Sequence, residues 1–147
     1  MVRVIAEDRN LKVVFKRLTD RKYSPTPGRK ISYEVANDGI TGAVELLVDT
    51  CVKEDWRKII LLADEEGLAP DKLKEAFQIK EVKDKGCVVI VPENIKDWFA
   101  KAVGIPKPRK KDIPSLAKSS GNIDLIEKQE LAQLFLRAVE CQDCPKF

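Results

Sequence analysis

Leu11-Lys12-Val13-Val14-Phe15-Lys16-Arg17-Leu18 is the stretch on which the fold turns. With a period of two, Leu11, Val13, Phe15 and Arg17 share one face, and Lys12, Val14, Lys16 and Leu18 share the other. That alternation predicts a strand over residues 12–16, with Phe15 in the core. A shorter apolar run, Arg3-Val4-Ile5, predicts a partner strand, and Glu7-Asp8-Arg9-Asn10 supplies the polar turn between them. The next segment, Tyr23-Ser24-Pro25-Thr26-Pro27-Gly28, cannot be regular structure. It reads as an exposed loop carrying Arg21, Lys22, Tyr23, Arg29 and Lys30.

Helices are expected from Ser32 onward. Ser32 is a candidate N-cap, and Asn37-Asp38-Gly39 closes that helix. Thr41 caps a second, with Val44, Leu47, Val48 and Cys51 as its apolar stripe. Asp55 caps a third, with Trp56, Ile59, Ile60 and Ala63 on one face and Gly67 at its end. Pro70 suits the first position of a short helix reaching Phe77. Residues 79–83 and 87–91 read as a hairpin around Asp84-Lys85-Gly86. Asn94 caps a helix burying Ile95, Phe99 and Ala102, closed by Gly104. Residues 105–121, with three prolines around Arg109-Lys110-Lys111, read as a linker. Asn122 caps a last helix to about Glu140, apolar around too much of its girth to lie alone in water. It must dock on its own body or on another chain.

The expected architecture is therefore α+β: a small antiparallel sheet packed with several helices. Residues 1–104 form the body, 105–121 the linker, and 122–147 the C-terminal helix, a candidate dimerisation element. At 147 residues, 44% of them hydrophobic, the chain can bury a real core. No apolar run is long enough to span a membrane, and the N-terminus lacks a signal-peptide pattern, so a cytoplasmic protein is expected. Charged residues make up 35% and there is one Met, a composition expected of a hot environment.

The net charge of +3 is unevenly spread. Residues 1–33 carry a net +6, residues 34–100 a net −6, residues 101–122 a net +5, and the remainder a net −2. Within residues 12–30, Lys12, Lys16, Arg17, Arg21, Lys22, Arg29 and Lys30 face only Asp20. Two basic segments on an acidic body draw a polyanion to defined places. Phe15 and Tyr23 lie inside the first segment, and Tyr33 just beyond it. Trp56 is flanked by Lys53, Arg57 and Lys58. Flat rings among cations suit stacking against bases.

Catalytic patterns are sparse. The chain has no His, which excludes Ser-His and Cys-His nucleophile systems and mixed Cys/His zinc sites. No Gly-rich loop matches a phosphate cradle. Pro70-Asp71 with Glu81-Val82-Lys83 resembles the PD-(D/E)xK nuclease signature, but Asp71 falls at a helix start where that signature wants a strand end. Ala63, Gly67 and Leu73 have helix-turn-helix spacing, with the hairpin as a wing, which makes a winged-helix regulator of duplex DNA the alternative. Of the four cysteines, Cys51 and Cys87 read as core, and Cys141 and Cys144 form a lone CxxC pair.

The order of basic strands, Pro-rich basic loop, helical body with Trp56, hairpin and C-terminal helix resembles the ThermoDBP-type archaeal single-stranded DNA-binding proteins, most of all over residues 33–47 and 54–92. The resemblance implies antiparallel strands packed with helices, an aromatic cleft edged by basic residues, and a homodimer through the C-terminal helix. The expected function is sequence-nonspecific binding of single-stranded DNA, with RNA possible because both offer phosphates and π-faces, and neither enzyme activity nor a cofactor is expected. Here Lys12, Lys16, Arg17, Arg21, Lys22, Arg29, Lys30, Lys53 and Arg57 would meet phosphates, and Tyr23, Tyr33 and Trp56 would stack on bases.

Overall fold

The computed structural model describes residues 1–23 and 30–147. Four strands, β1 (Val2–Ala6), β2 (Ile31–Val35), β3 (Lys58–Asp64) and β4 (Gly86–Val91), form one sheet in the order β2-β1-β3-β4. Every pairing is parallel, which corrects the antiparallel expectation. Parallel neighbours need a crossover to bring the chain back to the same edge, and helices supply it. They are α1 (Arg9–Lys22), α2 (Gly39–Lys53), α3 (Pro70–Ala76) and α4 (Lys80–Lys85). After β4 come α5 (Ile95–Val103), a 3₁₀ turn (Lys110–Asp112), α6 (Ile113–Lys118), α7 (Ser120–Glu127) and α8 (Glu130–Val139).

The deciding stretch is helical. Asp8 is extended and accepts from the Leu11 N–H at 3.0 Å, capping α1. Leu11, Val14, Phe15 and Leu18, spaced i, i+3, i+4 and i+7, are all buried. Phe15 does lie in the core, edge-on to Phe135 at 4.9 Å between ring centres. Three more elements change type. Residues 31–35 form a strand where a Ser32-capped helix was expected, and residues 58–64 form a strand where an Asp55-capped helix was expected. Residues 80–85 are helical, so there is no hairpin. With Ala63 on β3, the helix-turn-helix spacing is not realised. With Glu81 and Lys83 on α4, neither is the nuclease-like strand. Helices form at α2, α3 and α5 as expected, although α2 begins at Gly39, ahead of the expected Thr41 cap; Asn94 caps α5 and Gly104 ends it at φ 74°.

Helices cover both faces of the sheet. Val2, Val4 and Ala6, with Ile60, Leu62, Cys87 and Val89, face α1 and α5 to α8. Ile5, Ile59, Leu61 and Val88 face α2, α3 and α4. A strand buried on both faces is apolar throughout, and Ile59, Ile60, Leu61, Leu62 and Ala63 all have 0% exposure. Residues 105–121 are more than a linker: α6 buries Ile113 and Ala117 in the first core. The last helix is two, and Ile123, Ile126, Phe135, Leu136 and Val139 dock on the chain's own body. Among the described residues, no helix is long and apolar enough to cross a membrane.

The C-terminal tail runs along the outer edge of β4. The Val88 N–H donates to the Pro145 carbonyl at 2.8 Å, and Cys87 is disulfide-bonded to Cys144. Lys58 Nζ holds the Asp143 carbonyl at 3.1 Å, and Phe147 packs on the second core. Cys51 and Cys141 are free thiols.

Candidate functional site at the carboxyl edge of the sheet

Parallel strands put all their carboxyl ends on one edge. From that edge β1 leads through α1 toward β2 on one side, and β3 leads through α3 and α4 toward β4 on the other. The chain parts between β1 and β3, which leaves a crevice that connecting segments do not fill. Acidic residues close three strands around it: Glu7-Asp8 after β1, Asp64 at the end of β3 with Glu65-Glu66 behind it, and Glu93 after β4.

Backbone and side chains lock these ends together. Glu7 Oε2 accepts from the Asp64 N–H at 2.9 Å. The Glu65 N–H donates to the Val91 carbonyl and the Glu66 N–H to the Glu93 carbonyl, at 2.9 and 2.8 Å. Asn94 Nδ2 donates to Glu66 Oε2 at 2.9 Å, while its Oδ1 caps α5 by accepting from the Asp97 N–H. Glu93 sits at φ 59°, the left-handed region that a non-glycine residue enters at a cost.

The resulting cleft has a volume of about 830 Å³, within the range of small-ligand sites. Asp8, Asp64 and Glu66 line its acidic part, and Arg9, Lys96, Lys107, Lys110 and Lys111 supply cations. Lys107 pairs with Asp97 at 3.3 Å. Arg9, Lys96, Lys110 and Lys111 make no salt bridge among the described residues. Asn10 Nδ2 donates to the Lys110 carbonyl at 3.1 Å, tying the start of α1 to the segment before α6. The second basic segment of the sequence thus meets Arg9, at the start of α1, at this cleft.

The carboxylates crowd one another. Burial, then the Asp8 and Glu7 charges, push the Asp64 carboxyl up to about 7, partly offset by the Ile95 N–H. Burial raises Glu7 as well, with Asp8 adding to it and the Asp64 N–H opposing. The buried Oδ1 of Asp64 has no hydrogen-bond partner among the described residues. No group of three or more metal-ligating side chains forms among those residues.

The residues expected from sequence lie mostly elsewhere. Lys22, Tyr23, Lys30, Lys53, Trp56 and Arg57 gather toward the opposite, amino edge of the sheet, where β2 and β3 begin. Trp56 is half-buried, with the Arg3 guanidinium 4.5 Å and Lys30 Nζ 5.8 Å from its ring centre, and its Nε1 donates to Glu54. Tyr23 donates to Glu140 at 2.6 Å, and Lys22 pairs with the same carboxylate at 3.5 Å. Arg21 pairs with Asp124 and Glu127, Lys16 with Asp20, and Lys53 with Asp49. Tyr33 is packed on the first core, 2.8 Å from Thr19 Oγ1 and donating to the Phe15 carbonyl, and burial holds its phenol above the usual range. Lys12 and Arg17 are half-buried on α1, and Arg57 is exposed. Arg29 lies outside the described residues.

The sequence reading missed Asp8, Arg9, Asn10, Asp64, Glu66, Lys96 and Lys107. A signal for the carboxylates among them exists. Val-Ile-Ala-Glu-Asp at 4–8, Leu-Leu-Ala-Asp-Glu-Glu at 61–66 and Val-Ile-Val-Pro-Glu-Asn at 89–94 are apolar runs that each end in carboxylates. Comparison with protein-family models, curated proteins and solved structures finds no match to this chain.

Proposed function

We propose that this protein binds single-stranded nucleic acid through the cations around the carboxyl-edge cleft. The observation that carries the reading is the meeting of Arg9, at the start of α1, with Lys107, Lys110 and Lys111, from the second basic segment, around one crevice. Cations drawn from two distant segments on an acidic body make a local attractor for phosphates. The carboxylates between them repel a second phosphate backbone, so a flexible single strand fits better than a duplex. No cofactor enters this reading. The aromatic contribution expected from sequence is set aside at the cleft: Trp56 is at the other edge with cations over its ring, and Tyr33 is packed against the first core.

Fluorescence anisotropy with matched single-stranded and duplex oligonucleotides tests this. Single strands should bind more tightly, with a log–log salt slope of roughly −0.7 per phosphate contact. The Lys110→Ala/Lys111→Ala protein should bind more weakly and with a shallower slope. Trp56→Ala should leave affinity within about twofold, because a stacking ring contributes far more when lost. Duplex binding as tight as single-strand binding, or an unchanged lysine variant, defeats the reading.

A further inference from the structure

We propose that Cys141 and Cys144 form a redox relay: Cys141 takes up a disulfide from a small oxidised thiol and passes it through Cys144 to Cys87, so that the surrounding redox poise sets whether the C-terminal tail is locked over β4. The cysteines lie toward the amino edge of the sheet, away from the cleft, and the relay is independent of nucleic-acid binding there.

The three sulfurs sit in different surroundings. Cys87, the second residue of β4, has 0% exposure, so a dissolved disulfide cannot reach it. Its partner Cys144 is half-buried on the tail. Cys141 is a free, half-exposed thiol on a hollow of about 150 Å³ that Met1, Val2, Lys30 and Arg57 also line. Only Gln142 and Asp143 separate Cys141 from Cys144. That stretch is bent back on the end of α8. Cys141 has φ 60°, the Gln142 N–H donates to the Arg137 carbonyl at 3.0 Å, and Arg137 pairs with Asp143 at 2.8 Å. A loop this short gives the two thiols a high effective concentration for each other. The other free thiol, Cys51, is no substitute: it is buried in the second core, and burial pushes it up to about 11.

Starting from the three thiols, the Cys141 thiolate attacks oxidised glutathione, forming a mixed disulfide and releasing one glutathione. The Cys144 thiolate attacks the Cys141 sulfur, forming Cys141–Cys144 and releasing the second glutathione. The Cys87 thiolate then attacks the Cys144 sulfur, forming Cys87–Cys144 and returning Cys141 as a free thiol, which is the arrangement observed. Cys87 and Cys144 lose two electrons and two protons, and the two glutathione thiols carry them away. Excess reduced glutathione runs the same steps backward. Once the bond is open, the tail keeps only weak holds, among them Val88 on the Pro145 carbonyl and Lys58 on the Asp143 carbonyl.

The test uses the full chain, reduced and then exposed to oxidised glutathione without oxygen, with samples quenched in N-ethylmaleimide and cut with trypsin. Cys141 and Cys144 share the tryptic peptide 138–146, and Cys87 lies in 86–96, so mass spectrometry separates the two bonds. The internal bridge in 138–146 should rise first and decay as the cross-link between the two peptides forms. With oxidised glutathione at about 0.1 mM, a neighbouring thiol at millimolar effective concentration gains about tenfold, so Cys141→Ser should form the cross-link about tenfold more slowly. Cys141→Gly, which suits the positive φ, serves if the serine variant does not fold. The Val88 amide should exchange several-fold faster in the reduced protein than in the oxidised one. A cross-link that forms as fast without Cys141 overturns the relay, whether or not the internal bridge appears. Equal Val88 exchange in the two states overturns its coupling to the tail.

Discussion

Asp64 holds its proton far above the ordinary 3.8 of an aspartate, up to about 7, because burial and the Asp8 and Glu7 charges all disfavour a further negative charge. The folded state therefore binds a proton that the unfolded state has released between those two values. Stability from this group is fully present below about pH 4 and is lost as pH rises through about 7. Glu7 shifts in the same direction. Asp64→Asn should thus melt at a higher temperature than the unmodified protein at pH 8, and the gap should close toward pH 4. Thermal melts at a series of pH values check this, and a gap that stays constant with pH would place its origin outside Asp64 ionisation. The residue was hard to find beforehand for a physical reason. A carboxylate after an apolar run is an everyday surface feature until three strands bring several such runs to one edge.

Residues 11–18 carry two periods at once. Leu11, Val13, Phe15 alternate, and Leu11, Val14, Phe15, Leu18 step by three and four. The choice is made by Asp8, whose carboxylate caps a helix where a turn was expected, and by the parallel pairing that requires a crossover. Residues 58–64 pose the converse problem. A fully buried central strand has no polar face to alternate with, so its apolar run matches a helix stripe equally well. Helices with both a cap and a stop signal, such as α5 between Asn94 and Gly104, were legible. The tail on β4 was not, because partners 57 residues apart leave no local mark. That tail covers the outer edge of β4, which would otherwise present unpaired backbone groups. Cys144→Ala should cost about 2–4 kcal/mol, since the bond closes a long loop in the unfolded chain. Denaturant melts of the variant measure the loss. Hydrogen exchange at Val88 should speed up in the same protein, because its N–H is held by Pro145.

At the scale of the whole molecule, residues 105–121 and the last two helices pack on the first core instead of standing apart as a linker and a separate helix. The apolar girth of residues 122–139 was correctly seen to need a partner, and the chain's own first core is that partner. Ending the chain at Gly121 removes Ile123, Ile126, Phe135, Leu136 and Val139 from that core. Each buried side chain of this kind contributes about 1.5–3 kcal/mol, against a typical net stability of about 5–15 kcal/mol. The truncated chain should therefore lose cooperative melting and bind a hydrophobic dye, as circular dichroism and fluorescence can check. A truncated chain that still melts sharply would show that α7 and α8 are dispensable. The docking of α8 has a further consequence in time. On the ribosome, β3 and β4 must wait for residues 130–139 before the face they turn to α8 is covered. All four strands can pair before then, and α1 can cover β1 and β2, but that part of β3 and β4 stays open until residues 130–139 emerge. A nascent chain stalled before α8 has emerged is therefore the species most prone to aggregate.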